Sequence, residues 1–178
     1  DLRIPQRQPL AMAKLAIAVI DYGAGNLHSV AKAFDKIGYP AYVTADPRFI
    51  SEADAVVLPG VGAALDTVNG LTARDLTEPI HSTLARGKPF LGVCIGLQVL
   101  FERTEEEDVE CLGILTGRVR RLPGGQKVPH MGWNQVHAQA PHPLLAEIPD
   151  GSNFYFVHSY FADPGEGTNV IATTEYGI

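Results

Sequence analysis

A chain of 178 residues with 46% hydrophobic content is long enough for one domain with a sizeable core, and no linker divides it. Its net charge of −6 excludes nucleic acid and anionic membrane as main partners, since both need a concentrated positive face. Two cysteines, Cys94 and Cys111, are too few for a secreted disulfide framework and point to a reducing cytoplasm.

Residues 1–11 are rich in Pro, Gln and Arg and have no apolar period, whereas a well-patterned strand begins just after Met12-Ala13-Lys14. Residues 1–13 are accordingly read as an extension and 14–178 as the domain. The run Leu15 to Ile20 is short and leads straight into Asp21, which makes it a strand and neither a signal peptide nor a membrane span. A helix follows over 26–37, with Leu27, Val30, Ala31, Phe34 and Ile37 on one face, Asn26 as cap and Gly38 as stop. Strands are predicted at 41–44, 54–58 and 88–93, with helical patterns at 64–70 and 75–86 and a kink or restart at Pro79. This alternation predicts an α/β fold: parallel βαβ units, a mostly parallel central sheet and helices on both faces. Such sheets place their sites at the C-terminal ends of strands.

The four residues Glu105 to Asp108 read as a solvated helix end or loop, because no His or Cys accompanies them as a metal site requires. Arg118, Arg120, Arg121 and Lys127 read as one strand face, solvated or turned to a partner. Past residue 110 the runs 114–122 and 127–137, joined by Pro123-Gly124-Gly125, suggest a hairpin, and 153–157 with 170–174 a second strand pair. No closing helix precedes Ile178, which predicts a domain incomplete at its C-terminus. No repeat, metal constellation or bound organic cofactor is implied.

Chemistry concentrates at Gly92-Val93-Cys94-Ile95-Gly96. An apolar run ends there, and Leu97-Gln98-Val99-Leu100-Phe101 continues at helical spacing. This is the pattern of a nucleophile elbow, a sharp strand-to-helix turn that lifts a thiol out of the sheet and needs small residues two positions to either side. The turn aims the sulfur at the positive end of the next helix, which favours thiolate. Pro59-Gly60-Val61-Gly62 follows the third strand, where an elbow hydrolase supplies a second oxyanion N–H beside that of the residue after the nucleophile, here Ile95. Gly23-x-Gly25 lacks the third glycine and the acidic ribose partner of a dinucleotide fingerprint.

With these turns, the segments Val19 to Asn26, Gly92 to Gln98, Pro129-His130-Met131-Gly132-Trp133-Asn134 and Tyr155 to Tyr160 resemble class I glutamine amidotransferases. Within that family they look like the glutaminase subunits of imidazole glycerol phosphate synthase in histidine biosynthesis. The resemblance runs from about Lys14 to Ile178 and implies a flavodoxin-like fold. It further implies a thiol that hydrolyses the side-chain amide of L-glutamine and passes ammonia to a (β/α)₈-barrel cyclase. By matching motifs Cys94 is the nucleophile. Gly60, Val61, Gly62 and Ile95 form the oxyanion site, and Gln98, Ser159 and Tyr160 hold glutamine. His130, Met131, Trp133 and Asn134 face the cyclase. The same resemblance implies a His and a Glu in a His-Pro-Glu segment. None of the six histidines precedes Pro-Glu, and His142-Pro143 is followed by Leu144, so the base and its orienter are assigned to no residue here. A chain ending at Ile178 is expected to keep its binding surface and lose most turnover. Two alternatives remain: a truncated, non-catalytic binding module of the same fold, and an amidotransferase serving anthranilate, guanylate or pyridoxal phosphate synthesis.

Overall fold

The computed structural model describes residues 15–165 and 170–178; the extension read at 1–13 lies outside them. Four short apolar runs form a parallel sheet: β1 (Ile17–Ile20), β2 (Ala41–Thr44), β3 (Ala55–Gly60) and β4 (Phe90–Cys94), in the order β2-β1-β3-β4. Period-two alternation sends Ala18, Ile20, Val56 and Leu58 to one face, where they meet Ile50, Leu71 and Ile80 from α2 (Pro47–Glu52), α3 (Ala64–Thr72) and α4 (Thr77–Ala85). Side chains as fully buried as Ile20, Leu58, Leu71 and Ile80 each contribute roughly 1.5–3 kcal/mol by leaving water. Ile17, Val19 and Val57 point the other way, under Leu27, Val30 and Phe34 of α1 (Leu27–Lys36).

The parallel βαβ core thus matches the sequence pattern, with local corrections. Asn26 occupies the cap position of α1 without a side-chain cap bond. Helix α2 is absent from the sequence reading because six residues are too few to show a period; Asp46 caps it through Arg48 N–H at 2.9 Å. The break between α3 and α4 falls at Asp75, whose φ is +55°. Pro79 lies in the first turn of α4, where its missing N–H has no intrahelical partner to lose.

The helix read through Phe101 is a single turn, α5 (Ile95–Gln98), because Phe101 already begins a strand. That strand, β5 (Phe101–Thr104), joins β6 (Val109–Glu110), β7 (Leu115–Arg121) and β10 (Tyr160–Pro164) in a second sheet of order β10-β7-β5-β6. A third sheet has the order β11-β8-β9, from β8 (His130–Ala138), β9 (Ser152–His158) and β11 (Ala172–Thr173). The hairpin and the second strand pair of the sequence reading are therefore both corrected. β7 pairs with β10 and β5, whereas β8 pairs with β9, and β11 adds to β8 rather than to β9. Pro123-Gly124-Gly125 is a passage between sheets.

Arg118 and Arg120 share the exposed face that flanks buried Val119, and Arg120 pairs with Asp163 on the neighbouring strand at 3.2 Å. Arg121 turns to the opposite side and Lys127 lies beyond the strand, so the basic residues do not form one face. The acidic run is a turn, but a committed one. Glu105 accepts from Arg121 N–H at 2.9 Å, Glu106 accepts from Ala64 N–H at 3.0 Å, and Asp108 holds the Arg103 guanidinium. That guanidinium holds the Asp108 carboxyl below its usual range.

Candidate active site

The sheet order reverses between β1 and β3, and Gly-rich turns leave both strands at their carboxyl ends, the usual crevice of a doubly wound sheet. The next strand, β4, ends at Cys94, which lies directly across from Gly60 in the β3–β4 register. Cys94 is exposed, and its backbone takes φ +55° and ψ −117°, outside the region that L-residues prefer. A residue held there needs surroundings that determine it, and the glycines supply the room. A Cβ at Gly92 falls 2.8 Å from Leu97 Cα, and one at Gly96 collides with the Leu58 carbonyl oxygen. A Cβ at Gly60 meets Gly96 N and, at 2.7 Å, Ile95 Cβ. Three glycines thus let α5 press onto the ends of β3 and β4 and turn the thiol outward. Gly62 has open space around it, and its φ of +86° is the reason for its lack of a side chain.

Because α5 is one turn long, the aligned dipole beneath the sulfur is shorter than the sequence pattern suggests. Gln98, four residues after Cys94, is 7% exposed. Its Nε2 donates to the Tyr160 carbonyl at 3.4 Å, while its buried Oε1 has no partner among the described residues. An orphaned buried acceptor costs about 1–3 kcal/mol until a donor reaches it. That acceptor lies one turn from the thiol. Ser159 links β9 to β10, which begins at Tyr160, and the Ser159 carbonyl accepts from Leu122 N–H at 2.9 Å. The structure thus brings Gln98 and Tyr160 into contact and places Gly60 beside Cys94.

The block from His130 to Asn134 divides by strand alternation. Met131 and Trp133 face solvent, at 60% and 72% exposure, with Trp133 edge-on to Tyr155 of β9 at 5.5 Å between ring centroids. His130, by contrast, is only 4% exposed, so its placement on the partner face is corrected: it points inward, as does half-buried Asn134. The His130 Nδ1 lies 2.9 Å from His158 Nε2, and His158 Nδ1 lies 3.0 Å from the Tyr160 carbonyl. The ring of His130 is sandwiched between Phe156 and Tyr176.

Burial, and next the neighbouring His158, hold the His130 pKa below its ordinary 6.5. The unfolded chain then binds this proton more readily than the folded one. The neutral ring's contribution to stability is therefore complete above pH 6.5 and is lost as pH falls from there through the folded value. The groups facing the ring are His158, Asn134, Phe156 and Tyr176. Thermal unfolding followed from about pH 7.5 to about pH 5 is expected to show a steeper loss of Tm for the native protein than for its His130→Phe variant. Equal slopes would reject the assignment.

Comparison with known proteins places this geometry in a family. The profile of the class I glutamine amidotransferases matches residues 18–178. A Dehalococcoides mccartyi (strain CBDB1) protein named imidazole glycerol phosphate synthase subunit HisH is 54% identical over 163 residues, which span 91% of this chain and 80% of that one. A protein of the same name from Moorella thermoacetica is 53% identical over 163 residues, 91% of this chain and 78% of its own. Among solved structures, a glutamine amidotransferase superposes with a TM-score of 0.70 at 18% identity, covering 88% of this chain and 79% of that one. Another, from Thermotoga maritima, gives a TM-score of 0.62 at 19% identity, over 91% and 68% of the two chains. These structural matches establish the shared fold, and the sequence matches go further: the chain belongs to the class I glutamine amidotransferases, in the branch of the HisH subunits of imidazole glycerol phosphate synthase.

Proposed function

We propose that this chain hydrolyses L-glutamine at Cys94 and delivers the ammonia to a (β/α)₈-barrel cyclase docked on the outer face of β8 and β9. The observation that carries this reading is the exposed thiol on a strained elbow, with the buried Oε1 of Gln98, without a partner among the described residues, one turn away. The Oε1 accepts from the α-ammonium of glutamine, and the Ser159–Tyr160 segment closes the other side. The Cys94 thiolate attacks the side-chain amide carbon, and its electron pair forms the C–S bond while the carbonyl π pair moves to oxygen. Backbone N–H groups of the Gly60–Gly62 turn and of Ile95 stabilise that oxyanion. The C–N bond then breaks as nitrogen takes up, through solvent, the proton the thiol gave up, and ammonia leaves a thioester. Water attacks the thioester carbon and the C–S bond breaks, giving glutamate; one of the water's protons passes to the sulfur to restore the thiol and the other to solvent. His130 and His158 are bound to each other and to the Tyr160 carbonyl, so neither is given the role of base.

Met131 and Trp133, both exposed on one strand face, supply the Met and aromatic content typical of an interface core. The reaction needs no organic cofactor, and the setting proposed for it is the cytoplasm. Glutamine hydrolysis by the full native chain, alone and with its cyclase, tests the proposal. Ammonia release is expected to rise about 10-fold or more on adding the partner, in the usual range of coupling between sites. Unaltered release would favour an amidotransferase of another pathway, and cyclase binding without any hydrolysis would favour a binding module.

A further inference from the structure

Strand β8 turns Met131 and Trp133 outward and His130 and Asn134 inward, and the inward residues begin a hydrogen-bonded chain that ends at the glutamine pocket. Its direction is fixed by its last member, since the Tyr160 carbonyl can only accept. His158 Nδ1, 3.0 Å from it, therefore carries the hydrogen, and the Nε2 of the neutral ring is an acceptor. His130 Nδ1, 2.9 Å away, must then be the N–H that donates to it, which leaves His130 Nε2 as a lone pair facing Asn134 Nδ2 at 3.5 Å. The Asn134 amide is oriented independently: Oδ1 accepts from Gln135 N–H at 2.8 Å, and Nδ2 donates to the Glu175 carbonyl at 2.8 Å. The amide, the two rings and the carbonyl thus form one ordered sequence, and Gln98 Nε2 donates to the same Tyr160 oxygen at 3.4 Å.

We propose that His130 and His158 are positioning residues for glutamine. They form a tautomer-fixed pair that holds the Ser159–Tyr160 backbone against Gln98 and ties it to the strand whose other face carries Met131 and Trp133. This rests on the glutamine-site reading given above. A second-layer pair of this kind sets the orientation of groups that touch a ligand without touching it itself. The Phe156 and Tyr176 rings clamp His130 in place, so the pair has little freedom to re-form in another geometry. A proton on His158 Nε2 sets N–H against N–H unless His130 changes tautomer, and that change turns an N–H onto the Asn134 amide. The chain is therefore intact only while both rings are neutral. The side chains that face the rings are Asn134, Phe156 and Tyr176, with Glu175 reaching Asn134 through its backbone carbonyl.

The test uses the full native chain in complex with its cyclase on a Cys94→Ala background, so that glutamine affinity is read without chemistry. His130→Phe and His158→Phe keep an aromatic ring and remove the relay. Each is expected to weaken glutamine binding about 10-fold or more, a loss typical of supporting groups. His158→Asn places an amide N–H where Nδ1–H stood and is expected to recover most of that loss. In chains that keep Cys94, the relay variants are expected to raise KM for glutamine with kcat within about 3-fold, and ammonia-fed cyclase activity is expected to be unchanged. Unaltered glutamine affinity in both Phe variants overturns the proposal. So does equal loss in His158→Asn and His158→Phe, which would mark a packing role only. Should the Phe variants not fold, the pH dependence of glutamine affinity in the Cys94→Ala complex decides the matter: it must weaken as pH falls from 6.5 through the lowered pKa of His130, and a flat profile over that range overturns the proposal. No glutamine binding at all with the pair intact would instead refute the glutamine site itself.

Discussion

Replacing Cys94 by Ala is expected to reduce cyclase-stimulated glutamine hydrolysis by at least about 10⁴-fold, the scale on which covalent catalysis collapses when its nucleophile is removed. The measurement is glutamate formation by the full native chain with its partner, beside ammonia-fed cyclase turnover, which the substitution should leave intact. The same position carries a second, opposite effect. With φ +55° and ψ −117° at Cys94, every L-residue there is strained, by roughly 1–3 kcal/mol. Cys94→Gly is therefore expected to be as inactive as Cys94→Ala and more stable than both the alanine variant and the native protein, by about 1 kcal/mol or more. Thermal unfolding of the three proteins reads this directly. A glycine variant no more stable than the alanine one would show that the elbow is not where the strain is stored.

The second large effect is expected at Gly96. A methyl group there collides with the carbonyl oxygen of Leu58, a fully buried residue in the middle of the parallel sheet. Backbone cannot swing aside as a flexible side chain does, so α5 must lift away from β3. Gly96→Ala is expected to cost about 3 kcal/mol or more, which lowers Tm by roughly 6–12 °C in a domain of this size. Glutaminase activity should fall with it, since the lifted turn carries both Cys94 and Gln98. Gly124, with open space where a Cβ would go, is the control: Gly124→Ala is expected to stay within about 0.5 kcal/mol of the native protein. Comparable losses at the two positions would show that close approach of α5 to β3 is not what Gly96 provides.

The parallel half of the fold was legible because its signals are local. Ile17 to Ile20 and Val56 to Leu58 are continuous apolar runs, and α1 shows its stripe through Leu27, Val30 and Phe34. The elbow was legible too, since Gly92, Cys94 and Gly96 sit within five residues and are required by contacts made at once. What the sequence hid were pairings between distant segments. A Pro-Gly-Gly stretch between two alternating runs reads as a hairpin turn, but β7 and β8 find their partners 41 and 28 residues away, with Phe161 opposite Arg120 and His158 opposite His130.

 The aligned pairs Phe161 with Arg120 and His158 with His130 exist only once those long connections have closed. Phe101 reads as part of the elbow's helix by its spacing from Leu97, and Phe101 to Thr104 gives no alternation to oppose that reading: its two end residues are buried, the two between them are exposed, and the pairing with β7 shifts register between Phe101 and Arg103. The histidine pair was hidden for the same reason. Each ring sits at the end of a strand of mixed character, and only the β8–β9 register brings them together. The signal that was present is the parity of His130 with Asn134 against Met131 with Trp133, which already separates the inward set from the outward one.

That parity bears on how such a chain can diverge. Point substitutions on either face of β8 leave the other face untouched, so partner contacts and pocket supports are free to drift separately. A one-residue insertion or deletion within His130 to Ala138 instead inverts the whole strand past the change, turning Trp133 or its neighbours inward and spending both surfaces in a single event. Length variation among descendants of this sequence should therefore collect in the connection from Gln139 to Gly151 and be purged from the strand before it.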